Sequence, residues 1–370
     1  MLSIYIHIPF CRRKCPYCDF FSRPASCVPD NYITILRTEL SLYHSHFTGE
    51  VQSVYFGGGT PSLLTASQVE ELLRLLSTYY TLTPECEITL ECNPEQASLD
   101  YFQALRAVGI NRLSVGVQSL DDNVLRFLGR GHSAQQAITA LKHAERAHFT
   151  RLSADVIYGI PFQKEGVLKS SLSVLSDIEH ISAYHLSIEE ATPFGKMQAR
   201  GKLSEVDEEV SVTHFSLCDA LLREAGYEHY EISSFAHAGG YSRHNMGYWF
   251  DRPYLGLGAG AHSYDGAQRW WNPADLVRYA QNLDQRLRFP ERELLTDQLR
   301  WEEWLMTRLR TRWGISLTEG AQRFSSERMT PLLATAKPLV AAGLLVRQDD
   351  NLFIPPQHFL TADQTIRNLL

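Results

Sequence analysis

Three cysteines stand within eight residues: Cys11-Arg-Arg-Lys-Cys15-Pro-Tyr-Cys18, a C-x3-C-x2-C spacing. Such short gaps bring three thiolates together at little cost in chain entropy. A structural zinc site takes four ligands, normally two separated pairs, and no second pair follows here. An iron–sulfur cubane is usually held by four cysteines. Three would leave one iron open to a further ligand, which a chemically active cluster needs. A [4Fe–4S] core at 2+ with three thiolates carries about −1, which Arg12, Arg13 and Lys14 can offset or simply carry into solvent. Four further cysteines (Cys27, Cys86, Cys92, Cys218) are scattered, and clustered thiols in a reducing compartment point to metal before disulfide.

Elements that must position this loop are visible around it. Short runs rich in Val, Ile and Tyr at 3–8, 53–56, 87–91, 112–117, 152–158 and 182–188 alternate with helical patterns near 31–44, 65–78, 98–107, 121–128 with 133–146, and 165–178. Val69, Leu72, Leu73 and Leu76 mark one buried helix face. Six strands each followed by a helix predict an α/β fold with a parallel sheet, open or curled into a partial barrel. A helix over 205–224 and a strand over 228–235 follow. The Gly- and aromatic-rich stretch 239–266 lacks periodicity and reads as a binding loop. Composition turns polar near 285–297, and helices at 298–312, 316–325 and 329–342 precede a hairpin turning at Asp349-Asp350-Asn351. That pattern predicts a small C-terminal α+β winged-helix-like domain. The expected division is 1–235, 236–290 and 291–370.

With 44% apolar and 21% charged residues, the 370-residue chain is expected to be globular rather than disordered. Its net charge of −7 argues against a broad nucleic-acid surface. No apolar run is long enough to span a bilayer, and the first ten residues lack the basic region of a secretory signal. A cytoplasmic protein with no membrane anchor is the expectation. Oligomeric state is not legible.

The cysteine spacing, directly after a strand reading Tyr-Ile-His-Ile-Pro-Phe, resembles the radical S-adenosylmethionine (SAM) superfamily. The chain as a whole resembles its coproporphyrinogen-oxidase-like branch, and most of all the heme chaperones of that branch. The resemblance implies a partial (β/α)6 barrel. It further implies a [4Fe–4S] cluster on Cys11, Cys15 and Cys18, with SAM on the fourth iron. For SAM it implies Gly58, Gly59 and Thr60 in Gly57-Gly58-Gly59-Thr60-Pro61, Glu91 ending the third strand toward ribose hydroxyls, Gln118 ending the fourth, Arg130 in Leu-Gly-Arg-Gly-His, Asp155 in the fifth, and Tyr5 and Tyr17 beside the cluster motif. These positions come from five consecutive strands, mostly at or past their C-terminal ends. In a parallel barrel such ends share one face.

Two departures separate the chain from oxygen-independent coproporphyrinogen III oxidases. Phe20 stands where their C-x3-C-x2-C-x-C has a fourth cysteine, and the first strand opens without their extended preceding segment. Conversely, His244-Asn-Met-Gly-Tyr248-Trp249 matches the H-N-x-x-Y-W motif associated with heme in the chaperones. There the resemblance implies heme held by His244 and Tyr248, with Arg243 or Arg252 near a propionate; His262 and His132 are competing imidazoles. The expected function is therefore heme binding and transfer to acceptor hemoproteins, including respiratory, membrane-associated ones. The alternatives are the oxidase, an enzyme, and a zinc-stabilised nucleic-acid binder built on the C-terminal hairpin. Whether SAM is cleaved is left open.

Overall fold

The computed structural model describes residues 1–289 and 291–370; Pro290, at the expected end of the second segment, lies outside the described residues. β1 (Leu2–Ile8) runs into two short strands, β2 (Phe10–Cys11) and β3 (Arg23–Pro24), which pair with each other across the cysteine loop. Five further strands lie parallel to β1: β4 (Val51–Gly58), β5 (Leu82–Cys92), β6 (Arg112–Gln118), β7 (Arg151–Tyr158) and β8 (His180–His185). Most are almost unbroken buried runs, as strands covered on both faces must be, whereas the first four residues of β5 are partly exposed.

The connecting helices are α1 (Asp30–Tyr43), α2 (Ala66–Tyr79), α3 (Leu99–Ala107), α4 (Asp122–Phe127), α5 (Ala134–Arg146) and α6 (Glu165–Leu175). Their starts are written locally. Thr65 with Gln68, and Ser133 with Gln136, form capping boxes, and Ser98 and Asp121 cap α3 and α4. The expected (β/α)6 half-barrel is thus present, its strand C-termini all facing one way.

After α7 (Pro193–Gln198) and α8 (Glu208–Glu224), the single strand expected at 228–235 is two: β9 (Glu228–Glu231) turns at Ile232-Ser233 into antiparallel β10 (Ser234–Ala236), which closes on β8. The stretch expected to be a binding loop is ordered structure. It holds α9 (Arg243–Trp249), then β11 (Tyr254–Leu257), parallel to β1, and antiparallel β12 (His262–Tyr264); antiparallel β13 (Gln268–Trp271) follows it. Gly and aromatic residues hid it because its strands are three or four residues long. α10 (Leu276–Asp284) and β14 (Glu291–Leu294) complete a twelve-stranded sheet.

The C-terminal unit comprises α11 (Asp297–Arg308), β15 (Ile315–Ser316), α12 (Leu317–Phe324), α13 (Ser326–Ala341), the hairpin β16 (Val346–Gln348) and β17 (Asn351–Phe353), and α14 (Ala362–Arg367). β15 adds to the hairpin to give the three-stranded wing. This unit is tied to the barrel by an Arg312–Glu228 ion pair and by backbone bonds from Ile232 to Arg310 and from Arg312 to Tyr230.

Candidate functional site

The cysteine loop is pinched at its ends by the β2–β3 pairing and by Ala25 N–H donating to the Cys11 carbonyl at 2.9 Å. His7, an imidazole inside an apolar strand, fastens it from below. Its Nε2–H donates to the Phe21 carbonyl at 2.9 Å, leaving Nδ1 to accept from the Tyr5 hydroxyl at 3.0 Å. Cys11, Cys15 and Cys18 are half-buried and outside any disulfide. Thr60 Oγ1 donates to Cys11 Sγ at 3.3 Å, and Arg130 Nη1 to Cys15 Sγ at 3.7 Å. Burial pushes the Cys18 thiol up, and the facing Cys15 and Cys11 sulfurs push it further.

This cradle fits a cubane better than one ion. Among the described residues no three His, Cys, Asp or Glu side chains converge on a single metal position. Ligands of one zinc must lie within about 4 Å of each other, whereas thiolates on different irons of a cluster spread wider. Donors aimed at two of the three sulfurs are what anionic thiolates need. Among the described residues the buried Arg130 Nε has no partner, although Nη2 donates to Asn93 Oδ1 at 2.5 Å and to the Gly116 carbonyl at 3.1 Å. An anion beside the loop would satisfy it.

A cleft of about 660 Å³ opens beside the loop. Tyr17, Gly58, Gly59, Thr60, Glu91, Gln118, Arg130 and Asp155 all line it. The strand-end argument thus brings together eight of nine expected SAM residues. Tyr5 is the ninth; it lies deeper in the barrel, stacked on Tyr55 at 6.2 Å, and supports the cleft floor rather than lining it. Glycine is required at 59: a Cβ there would stand 2.7 Å from the carbonyl oxygens of Ile8 and Phe10. Gly58 has φ +107° and turns its N–H onto Glu91 Oε2 at 3.2 Å.

Glu91 also accepts from the Tyr55 hydroxyl at 2.8 Å, and burial lifts its carboxyl to about 7. Each oxygen keeps a lone pair for a hydroxyl donor. Asp155 accepts from Ser114 Oγ at 3.2 Å, and burial raises it too. Gln118 holds a left-handed φ of 64°, a strain that a buried non-glycine residue keeps only when its surroundings enforce it. Sequence reasoning missed Asn93, which bridges Arg130 and Thr60, and Ser114, Tyr184 and His185 on the cleft wall. Asn93 follows the third strand directly, and that position was the available signal. His185 ends β8, but the expected strand ran on to 188 and hid it.

The second constellation lies at the opposite end of the barrel. α9 plugs the strand N-termini, its own N-terminal amides held by Glu87: His244 N–H on Oε1 at 3.1 Å and Arg243 N–H on Oε2 at 3.2 Å. Glu87 in turn pairs with Arg151 at 3.2 Å. His244 is 1% exposed and stacks on Tyr55 at 4.9 Å. Its Nδ1 bonds Ser53 Oγ at 3.0 Å, and Ser53 donates onward to Ser3 at 2.9 Å, so Nδ1 carries the proton. Nε2 therefore accepts from the Tyr248 hydroxyl at 2.9 Å. Burial drives the imidazole down to about 3 and keeps it neutral. In this arrangement Tyr248 donates to His244, and the imidazole has no free lone pair to offer iron. Of the competing imidazoles, His132 is buried on the Val117 carbonyl at 3.1 Å, and exposed His262 lies on Trp271 at 5.7 Å.

Comparison with known proteins bears on both ends. Residues 5–173 match the model of the radical SAM superfamily, and residues 295–360 that of the HemN C-terminal domain. The heme chaperone HemW of Mycobacterium tuberculosis H37Rv is 36% identical over 100% of this chain and 94% of its own length. That of Bacillus subtilis 168 is 31% identical, covering 98% of each. Among solved structures, the coproporphyrinogen III oxidase HemN of Escherichia coli superposes with a TM-score of 0.85 at 23% identity, over 100% of this chain and 89% of that one.

Proposed function

We propose a heme chaperone carrying an iron–sulfur cluster and SAM, because the chain belongs to the HemW family of heme chaperones within the radical SAM superfamily. It binds heme and passes it to acceptor hemoproteins. The carrying observation is the full-length relationship to HemW chaperones, which spans the barrel, the extension with α9 and the C-terminal unit alike.

In our assignment Cys11, Cys15 and Cys18 hold the cluster, and Thr60 and Arg130 donate to its thiolates. A cluster held there would offer a one-electron redox centre and an iron left free for a further ligand. Arg130 balances the charge of the thiolates, while Gly58, Gly59, Gln118, Glu91 and Asp155 shape the SAM cleft beneath Tyr17. We divide the chain into barrel (1–235), extension (236–290) and C-terminal unit (291–370), and place it in the cytoplasm. No described helix is long and apolar enough to cross a membrane. Membrane-associated respiratory acceptors would then be met transiently, and the −7 charge speaks against nucleic acid as a partner.

The likeness in shape to HemN favours a second reading, radical decarboxylation of coproporphyrinogen propionates. Against it stands Phe20, 66% exposed on the cluster loop, in the oxidase's fourth-cysteine position. An anaerobic assay of cluster-loaded protein with SAM and coproporphyrinogen, run beside heme transfer to an apo-cytochrome, separates the two. Transfer of one heme per chain without protoporphyrinogen is expected. Sustained protoporphyrinogen formation would replace the chaperone by the oxidase.

A further inference from the structure

α9 has two faces. His244, Gly247 and Tyr248 share the one turned into the barrel, where a Cβ on Gly247 would come within 3.0 Å of Ser3 Oγ. Arg243 and Met246, three residues apart, share the other. They line a cavity of about 370 Å³ together with Met1, Gln52, Tyr241 and Arg252. It lies where the barrel strands begin, since Gln52 is the second residue of β4.

Its chemistry is specific. Met246 offers a thioether, a soft donor compatible with heme iron. Two guanidiniums flank it. Arg252 Nη1 donates to Gln52 Oε1 at 2.8 Å and Arg243 Nη1 to the Glu85 carbonyl at 2.5 Å. Among the described residues neither has a carboxylate within ion-pair distance, although Glu85 itself is on the lining. The buried arginines Arg112 and Arg308 are paired, with Glu87 and Glu319, whereas Arg243 and Arg252 are solvent-exposed and keep their charge for a ligand. Two unpaired, bidentate-capable cations on one concave wall suit a ligand that brings two carboxylates. The ring of Tyr241 and the methylenes of Met246 supply the apolar surface for a flat macrocycle.

We propose that heme docks in this cavity, with Met246 as its iron ligand and Arg243 and Arg252 on its propionates. The proposal rests on the heme-chaperone reading and deepens it. It also explains why a motif tied to heme carries a histidine that faces inward: His244 and Tyr248 position the helix, and the opposite face holds the cargo. A cavity of this size covers one edge of the macrocycle and leaves the rest in solvent, where an acceptor's own ligand can take the opposite axial site. A single thioether binds ferric iron weakly and ferrous iron better, which suits a carrier that must let go.

The test is hemin titration, ferric and dithionite-reduced, into full-length wild type, Met246→Leu, Arg243→Gln with Arg252→Gln, and His244→Ala. Leucine keeps the volume and removes only sulfur. Expected for wild type is one heme per chain and a sulfur-to-iron charge-transfer band in the near infrared. Met246→Leu should lose that band and bind about tenfold more weakly. The double arginine variant should lose about tenfold for heme and nothing for heme dimethyl ester, whose carboxylates are blocked. His244→Ala should melt lower yet keep the band. A bound spectrum intact in Met246→Leu but lost in folded His244→Ala would overturn this seat and leave the chaperone reading standing. Wild type binding no stoichiometric heme would overturn both.

Discussion

At the residue scale, His244 is a structural imidazole whose removal has three costs. The Tyr248 hydroxyl loses its acceptor, Ser53 Oγ loses its donor, and a void opens under the Tyr55 ring. His244→Ala should destabilise by about 3 kcal/mol, read from chemical denaturation. Its pH dependence has a definite sign. The folded imidazole titrates near 3 and the unfolded one near 6.5, so between those values the unfolded chain holds the extra proton. The His244 contribution is complete above about 6.5 and is lost as pH falls through 3. His244→Gln should remove that slope. Thr60 offers a second residue-scale prediction. Its hydroxyl donates to Cys11 Sγ, and such bonds favour the more reduced, more negative cluster. Thr60→Val should lower the reduction potential on the order of 50 mV, about 1 kcal/mol for one electron, by redox-monitored electron paramagnetic resonance.

At the scale of elements, the extension is clasped to the barrel by a buried glutamate on α1. Glu39 accepts from Gly258 N–H at 2.7 Å, Asn272 Nδ2 at 2.5 Å and the Tyr279 hydroxyl at 2.5 Å. Burial nonetheless raises its carboxyl to about 7, above the ordinary 4.5. Here the folded state holds the extra proton between those values. The contribution is complete below about 4.5 and is lost as pH rises through 7. Wild type should therefore lose stability relative to Glu39→Gln, on the order of 2–3 kcal/mol, between pH 5 and pH 8 in urea titrations. Nothing in the spacing around Glu39 announced this clasp, because its three partners lie more than 200 residues away. The parallel strands were legible for the opposite reason: most are buried apolar runs with turn residues at their ends. The SAM-cleft residues were legible through the same ends. What stayed hidden was short or rotational. β12 has three residues and β15 two, too few for a period to show. The inward face of α9 was coded, in His244, Gly247 and Tyr248 at helical spacing, but only the sheet beneath it decides which face is buried.

For the whole molecule, parallel topology separates two chemistries. Every barrel strand delivers its C-terminus to the cluster and SAM cleft and its N-terminus to the α9 end. β1 alone spans about 20 Å between Leu2 and Ile8. Among the described residues no cysteine contributes to the cavity on the outer face of α9, and none lines both it and the cleft. Heme affinity of Cys11→Ser, Cys15→Ser, Cys18→Ser protein, which lacks the cluster, should thus stay within about threefold of wild type, a coupling below about 0.7 kcal/mol. In cluster-loaded protein, saturating SAM should likewise change heme affinity by no more than about threefold, and by reciprocity heme should change SAM affinity by that same factor. Parallel isothermal titrations check both. A coupling above tenfold would have to cross the barrel through side chains, and the path is laid out: Glu91 to the Tyr55 hydroxyl at 2.8 Å, the Tyr55 ring to His244 at 4.9 Å, His244 to Tyr248 at 2.9 Å. Tyr55→Phe keeps the stacking and cuts the first of these contacts. It should then erase the coupling while leaving each ligand's own affinity in place, and a coupling that survived it would rule this column out as the carrier.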